Sequence, residues 1–308
     1  TNSWTTSRYC GKIHKAMAMT LSQLRTFIAV AEDGSVRAAA ERLHVSQPSV
    51  SGSIAALSEE VGVALTERDG RGMKLSPAGE AFLPHAIEAL GLLELGTRMA
   101  QSAASRVSAT VRIAAVYTAA ESLLPPLLRA FREAHPEIPI QLEIGNREFV
   151  LDLLASRNAD IGIGGRPPED GSLEGTVIAR NEHVIVAAPD HRFATLGKVS
   201  VRDLADETWL VREEASGTRR LVDEYLAAAH ITPPVTTIGS NSAVAAAAMV
   251  GLGVGLVPLV SVEHQIASGQ LVRLAADPPP PSRDWYALLP TRRPSPAARV
   301  LAEFLSAR

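Results

Sequence analysis

The chain is short of the residues that would announce several chemistries. It has one cysteine, Cys10, in 308 residues, which excludes a disulfide framework and a cysteine-rich zinc site and fits a reducing, cytoplasmic setting. It lacks the ~18 uninterrupted apolar residues of a membrane-crossing helix: the run AVAAAAMVGLGVGLVPLV (243–260) is broken by Gly251, Gly253, Gly255 and Pro258. Positive charge is not in excess either. A net charge of -3, with 46% hydrophobic and 20% charged residues, describes an ordinary soluble protein, so any contact with nucleic acid must come from a local charge distribution. The eight histidines have no metal-ligand spacing. GLGVGLVP (251–258) does not fit G-x-G-x-x-G and ends a helical pattern instead of opening one, and G-x-S-x-G is missing. Neither a metal, a cofactor nor a catalytic residue is expected, and the protein is not read as an enzyme. Residues 1–19 show no apolar core or period and are set aside as a disordered extension or expression remnant, with Met19 as the native start.

What the chain does have is helical periodicity, over a length that suggests two or three compact units. From Leu21 to Asp33 the apolar Leu24, Phe27, Val30 and Ala31 recur at helical spacing, and Gly34 closes the pattern. Ser35 can cap a second helix with Ala39, Ala40 and Leu43 facing inward, and His44-Val45-Ser46 makes the turn to a third. Ser46 suits the N-cap of that third helix and Pro48 its first turn, where amides have no helical acceptor. Three short helices with a tight turn between the last two predict a helix-turn-helix. In the third helix Val50, Ile54 and Leu57 define the buried side, and Pro48, Ser49, Gly52, Ala55 and Ala56 take the opposite one. That face is small and uncharged, as a surface pressed into a groove would be. The next stretch, LTERDGRGMKLSPAG (65–79), predicts two short strands that bring Arg68, Arg71 and Lys74 together on a wing.

Ser76 and Pro77 open a helical pattern that runs to about Ser105. Its Leu83, Ala86, Leu90 and Leu93 form a heptad-like seam, and about 28 residues would span roughly 42 Å. With little around it to cover that seam, this segment (77–106) is expected to join two copies of the chain. Beyond Ala109 strands alternate with helices in two series, which predicts parallel sheets with helices on both faces and a ligand at the carboxyl ends of strands. The expected division is 20–76 for a winged helix-turn-helix, 77–106 for the linker helix, 109–181 plus 284–308 for one lobe and 182–283 for the other. The fold class is α/β overall, with a helix-rich N-terminal domain. DPPPPSR (277–283) reads as a surface connector.

A helix-turn-helix that binds DNA lays its second helix in the major groove. There Gln47 can pair with adenine, Ser49 can bond several bases and Pro48 can touch a thymine methyl, while Arg68, Arg71 and Lys74 would position the module on phosphates. Residues 20–78 hold six Lys and Arg against seven Asp and Glu, so one copy should bind weakly and depend on linked half-sites.

AAAERLHVSQPSVS (38–51) and the sequence around it, from Leu21 to about Ala86, resemble the N-terminal domain of LysR-type transcriptional regulators. The lobes beyond residue 109 resemble that family's effector domain, itself similar to type II periplasmic solute-binding proteins. EEASGTRRLVDEYL (213–226) resembles the branch regulating carbon fixation or sulfur and nitrogen assimilation. The resemblance extends the DNA-facing set to Ser35, Arg37, Ser46, Ser51, Gly52 and Ser53. Gly52-Ser53 stands where the family usually has a basic or amide-bearing residue, and Thr66 where it usually has phenylalanine, which weakens the expected DNA contacts and the packing of the wing. It also implies a cleft between the lobes lined by hydroxyls at helix starts. Thr118 and Ala119 follow the first strand, Ser216, Gly217 and Thr218 precede a helix, and Asn146 and Ser240-Asn241 are further candidates. Helix starts favour anions, so a small anionic co-inducer is expected. The implied partners are operator DNA, a second copy through the linker helix, pairing of dimers into a tetramer, and room for a contact with RNA polymerase, with no membrane. The competing reading is an α/β solute-binding or small-molecule-transforming protein whose N-terminal helices serve only association; no export signal or catalytic constellation supports it.

Overall fold

The computed structural model describes residues 19–69, 72–105 and 110–307, and the chain divides into two compact units between Thr97 and Arg98. The expected extension at 1–18, and Arg71 of the wing, lie outside the described residues.

The N-terminal unit begins with α1 (Leu21–Asp33), α2 (Val36–Leu43) and α3 (Gln47–Val61). Gly34 ends α1 with φ 60°, where a side chain would be strained, and its N–H reaches the Val30 carbonyl. Ser35 and Ser46 cap the next two helices by accepting from Ala38 and Ser49 N–H. One core joins Ala29, Val30, Ala39, Ala40, Val50 and Ile54 across the three helices. A two-stranded wing follows, β1 (Thr66–Asp69) antiparallel to β2 (Gly72–Leu75), and then the 29-residue α4 (Pro77–Ser105). A second core brings α4 onto the DNA-binding helices: Ala86 is buried with Leu24, Phe27, Leu57 and Leu65, and Phe82, Leu83 and Leu90 pack on the cluster. The seam expected to be bare is therefore filled over its first half by the chain's own hydrophobic residues, and only Leu93 of the four stays exposed. The expectation of an uncovered seam overlooked how large an apolar face three short helices leave open.

The second unit holds two five-stranded sheets. Its elements run β3 (Val111–Val116), α5 (Leu124–Ala134), β4 (Ile140–Gly145), α6 (Arg147–Ala155), β5 (Ile161–Gly164), β6 (Leu173–Asn181), β7 (His183–Ala187), β8 (Val199–Ser200), β9 (Trp209–Val211), α7 (Gly217–Ala229), β10 (Val235–Thr237), α8 (Asn241–Met249), β11 (Val254–Pro258), α9 (Glu263–Ala267), β12 (Val272–Leu274), β13 (Ala276–Asp277), β14 (Arg283–Pro290) and α10 (Pro296–Ser306). One sheet has the order β4-β3-β5-β14-β6 and the other β10-β9-β11-β7-β12, while β8 and β13 form a small ribbon.

The sheets are mixed, which corrects the expectation of parallel sheets. Strands β3, β4 and β5 are parallel, as are β9, β10 and β11, but β14 runs against β5 and β6, and β7 runs against β11 and β12. The reversals sit where the chain changes sheet. Only Glu182 separates β6 from β7, and the return passes through the segment before β14, so these strands are not laid down by a helical crossover, the connection that makes neighbours parallel. Each sheet has an apolar core, one around Ile113, Phe131, Ile161 and Ile163 and the other around Ile185, Trp209, Val211 and Leu256.

Candidate functional site

The outer side of α3 is as bare as its sequence suggests. Val50, Ile54 and Leu57 are buried, whereas Gln47, Pro48, Ser49, Ser51, Gly52 and Ala55 are exposed and Ser53 and Ala56 half-buried. No residue from Gln47 to Leu57 carries a charge, so the helix can approach base edges closely, with Gln47 and Ser49 in the first turn as hydrogen-bonding groups. Ser35 and Ser46 serve first as helix caps. Arg37 is exposed and pairs with Glu41 at 3.0 Å on the same helix.

The wing departs from expectation. Glu67 faces Lys74 in the β1–β2 register and Arg68 faces Met73, so Arg68 and Lys74 project from opposite faces of the ribbon. Lys74 also lies 3.3 Å from Glu67. Arg68 and Lys74 are therefore not one cluster, because strand alternation separates residues that sequence proximity seemed to join.

In the second unit, six of the expected effector contacts sit at helix starts, three of them as caps. Asn146 caps α6 through Phe149 N–H at 2.8 Å, Ser216 caps α7 through Thr218 N–H, and Ser240 caps α8 through Ala243 N–H. Gly217 and Thr218 are the first residues of α7 and do not precede it, as the sequence suggested. Thr118 is different. It leads into a wide π-helical turn at Ala119–Leu123 and makes no capping bond; its hydroxyl instead accepts from Asn241 Nδ2 at 2.7 Å. Such turns recur at functional positions. Asn241 Nδ2 also lies 3.5 Å from Thr218 Oγ1, so one amide ties together the start of the turn after β3, the start of α7 and the start of α8. Thr118, Ser216 and Asn241 are all more than nine-tenths buried. Ala119 is fully buried and can offer a ligand only its main chain. At the rim, Ser242 Oγ donates to Glu121 at 3.0 Å, and the Arg212 guanidinium lies 5.9 Å from the Tyr117 ring.

Three arginines that the sequence reading passed over meet around these helix starts. Arg147 opens α6, Arg220 lies in the first turn of α7 and Arg283 opens β14. Arg283 donates to the Gly217 carbonyl at 3.3 Å and to Glu224 at 2.8 Å. Burial, and then repulsion by Arg220 and Arg283, lowers the Arg147 pKa. Among the described residues neither Arg147 nor Arg220 has a carboxylate partner within 4.0 Å. Beside them, His183 is buried at the crossover into β7, and burial, with Arg283 as a secondary cause, depresses its pKa to about 4. A helix start at Asn146-Arg147 was the available signal for Arg147; Arg220 and Arg283 needed the tertiary fold. A cavity of about 470 Å³ elsewhere, lined in part by Lys198, Arg273, Pro279 and Pro280, is less suited to an anion because Lys198 pairs with Asp277 at 2.9 Å and Arg273 with Glu182 at 3.0 Å.

Comparison with known proteins agrees with this division of labour. Residues 21–80 match the model of the bacterial regulatory helix-turn-helix proteins of the lysR family, and residues 104–308 match the LysR substrate binding domain. A RuBisCO operon transcriptional regulator of Allochromatium vinosum is 34% identical over 293 residues, 94% of this chain and 96% of that protein. The regulatory domain of Synechocystis PCC6803 CcmR in complex with 2-PG is 28% identical with a TM-score of 0.60, covering 64% of this chain and 96% of that one. Full-length CbnR complexed with its target DNA is 25% identical with a TM-score of 0.63, covering 94% of this chain and 99% of that one.

Proposed function

Because the chain belongs to the LysR family of bacterial transcriptional regulators, we propose that it is a regulator of carbon-fixation genes whose DNA binding is set by a small anion held among Thr118, Thr218, Asn241, Arg147, Arg220 and Arg283. The chain is a LysR-type regulator with a DNA-binding helix-turn-helix and an effector-binding domain. The observation that carries the anionic reading is a half-buried Arg147 with Arg220 and Arg283 near enough to repel it, and no carboxylate within 4.0 Å of Arg147 or Arg220 among the described residues. An anion between them offsets that repulsion while the dipole of α7 favours the same charge. Arg147 comes from an element of one sheet and Arg220 from one packed on the other, so the ligand favours whichever arrangement brings both close. It acts on DNA only through its different affinities for two arrangements of the assembly.

The DNA-facing residues of this reading are Gln47, Pro48, Ser49, Ser51, Gly52 and Ser53 on α3, with Ser35 and Arg37 on the neighbouring helix start and Arg68 and Lys74 on the wing. Asn146, Ser216 and Ser240 shape the effector site as caps. The working form is a homodimer through α4, paired into tetramers, in the cytoplasm, with RNA polymerase as a further contact and no catalytic step. Relatives named as transcriptional regulators support the last point, and no helix among the described residues is long and apolar enough to cross a membrane.

The test is titration of the full chain with 2-phosphoglycolate and inorganic phosphate, alongside gel shifts on the DNA flanking its gene. Specific shifts that respond to the anion, and binding weakened at least about tenfold in Arg147→Ala, are expected. Anion binding unchanged by Arg147→Ala and Arg283→Ala, or no shift of flanking DNA, would overturn it.

A further inference from the structure

The same site holds acceptors that an anion cannot satisfy. Asn241 Oδ1, Asn181 Oδ1 and His183 Nδ1 are shut off from solvent and have no hydrogen-bond partner in the structure. All three residues are more than nine-tenths buried, in a class of group that is nearly always paired in folded proteins. They lie around the start of α7: Asn241 through its contact with Thr218, Asn181 through its pairing with Arg283, whose guanidinium reaches the Gly217 carbonyl, and His183 within the field of that same guanidinium. Near the start of α7, guanidiniums and helix amides supply donors, and the Asn241 and Asn181 carboxamide oxygens supply acceptors.

Resting on the anionic reading of this cleft, we propose that its effector is a hydroxylated anion, and that Asn241 selects it by accepting a hydrogen bond from the ligand's hydroxyl. A phosphate or carboxylate alone gives these oxygens nothing to accept. It leaves a buried acceptor unsatisfied, and a site that has lost a hydrogen-bonding partner in this way discriminates strongly against the analogue. A ligand with a hydroxyl next to its anionic group satisfies both sides at once. Asn241 also holds Thr118, so a ligand on its free oxygen is registered at the contact between the two halves of the unit.

The experiment measures binding to the full chain by calorimetry with matched probes: glycerol 3-phosphate against propyl phosphate, and 3-phosphoglycerate against its 2-deoxy analogue. The hydroxylated member of at least one pair is expected to bind about tenfold or more tightly. In Asn241→Leu that preference collapses toward unity, and Asn241→Gln restores part of it; thermal melts establish that each variant is folded. Equal affinity within both pairs overturns the selection by Asn241 and leaves the anionic reading standing. Failure of every probe and of inorganic phosphate to bind overturns both.

Discussion

Asn241 donates its amide to the Thr118 hydroxyl at 2.7 Å, joining residues 123 positions apart at the starts of two helical segments. Both partners are buried, so the bond is made in place of water and its loss leaves a polar group stranded. Thr118→Val keeps the shape and removes the acceptor. It is expected to cost about 1–3 kcal/mol and, at roughly 3 °C per kcal/mol for a unit of this size, to lower the melting transition of the effector unit by about 3–9 °C. Thr118→Ser, which keeps the oxygen, should melt near wild type. A Thr118→Val protein as stable as Thr118→Ser would show that the bond contributes nothing.

His183 gives the fold an acid limit. The folded protein takes up its proton only near pH 4, whereas an unfolded histidine does so near 6.5. Between those values the unfolded chain binds the extra proton, so stability is complete above about pH 6.5 and is lost as the pH falls toward 4. The loss is at most about 3 kcal/mol, since one pKa unit is worth about 1.4 kcal/mol. Melting curves of wild type and His183→Gln from pH 7.5 to 4 test this: the variant should show a flatter decline between 6.5 and 4, and parallel curves would contradict it.

Gly79 is where α4 meets the loop before the wing. A Cβ there would stand 2.0 Å from the Leu65 carbonyl oxygen, which already accepts from Ser76 N–H at 3.1 Å. The obstacle is backbone, so the helix has to move. Gly79→Ala is expected to destabilise the N-terminal unit by about 1–3 kcal/mol, seen as a lower denaturation midpoint followed by the fluorescence of an extrinsic label on that unit. Gly96→Ala, with nothing within 4 Å of its added carbon, is the control and should not destabilise.

The sequence was legible where local rules decide. Gly34, Ser35 and Ser46 punctuate α1 to α3 at the positions their chemistry suggests, and the buried set Val50, Ile54 and Leu57 follows from helical spacing alone. It was silent where partners are distant in the chain. Strand β6 carries Glu174, Gly175 and Arg180 among its apolar residues and lies on a sheet edge, so it shows no apolar run to read. The α4 seam looked free because Leu57 and Leu65, which fill it, belong to other elements. Arg147, Arg220 and Arg283 are separated by 73 and 63 positions and become one cluster only when two sheets have formed. The hydroxyls at helix starts came from the family resemblance, and their capping roles follow local rules; the arginines around them follow only from the tertiary fold.

On the DNA side, Glu67 and Gln47 separate positioning from reading. Lys74 is held 3.3 Å from Glu67 on an exposed face, so part of its charge is already answered when DNA arrives. Glu67→Gln frees that ammonium and should tighten binding to any duplex, steepening the dependence of log K on log salt by up to about 1. Gln47→Ala removes the group proposed to read bases without disturbing the fold, since Gln47 is exposed and makes no side-chain hydrogen bond among the described residues. It should cost about 1–3 kcal/mol on operator DNA and little on random sequence. Fluorescence anisotropy with operator and scrambled duplexes at several salt concentrations distinguishes the two. If Gln47→Ala weakened both duplexes equally, α3 would be contacting phosphates and not reading bases.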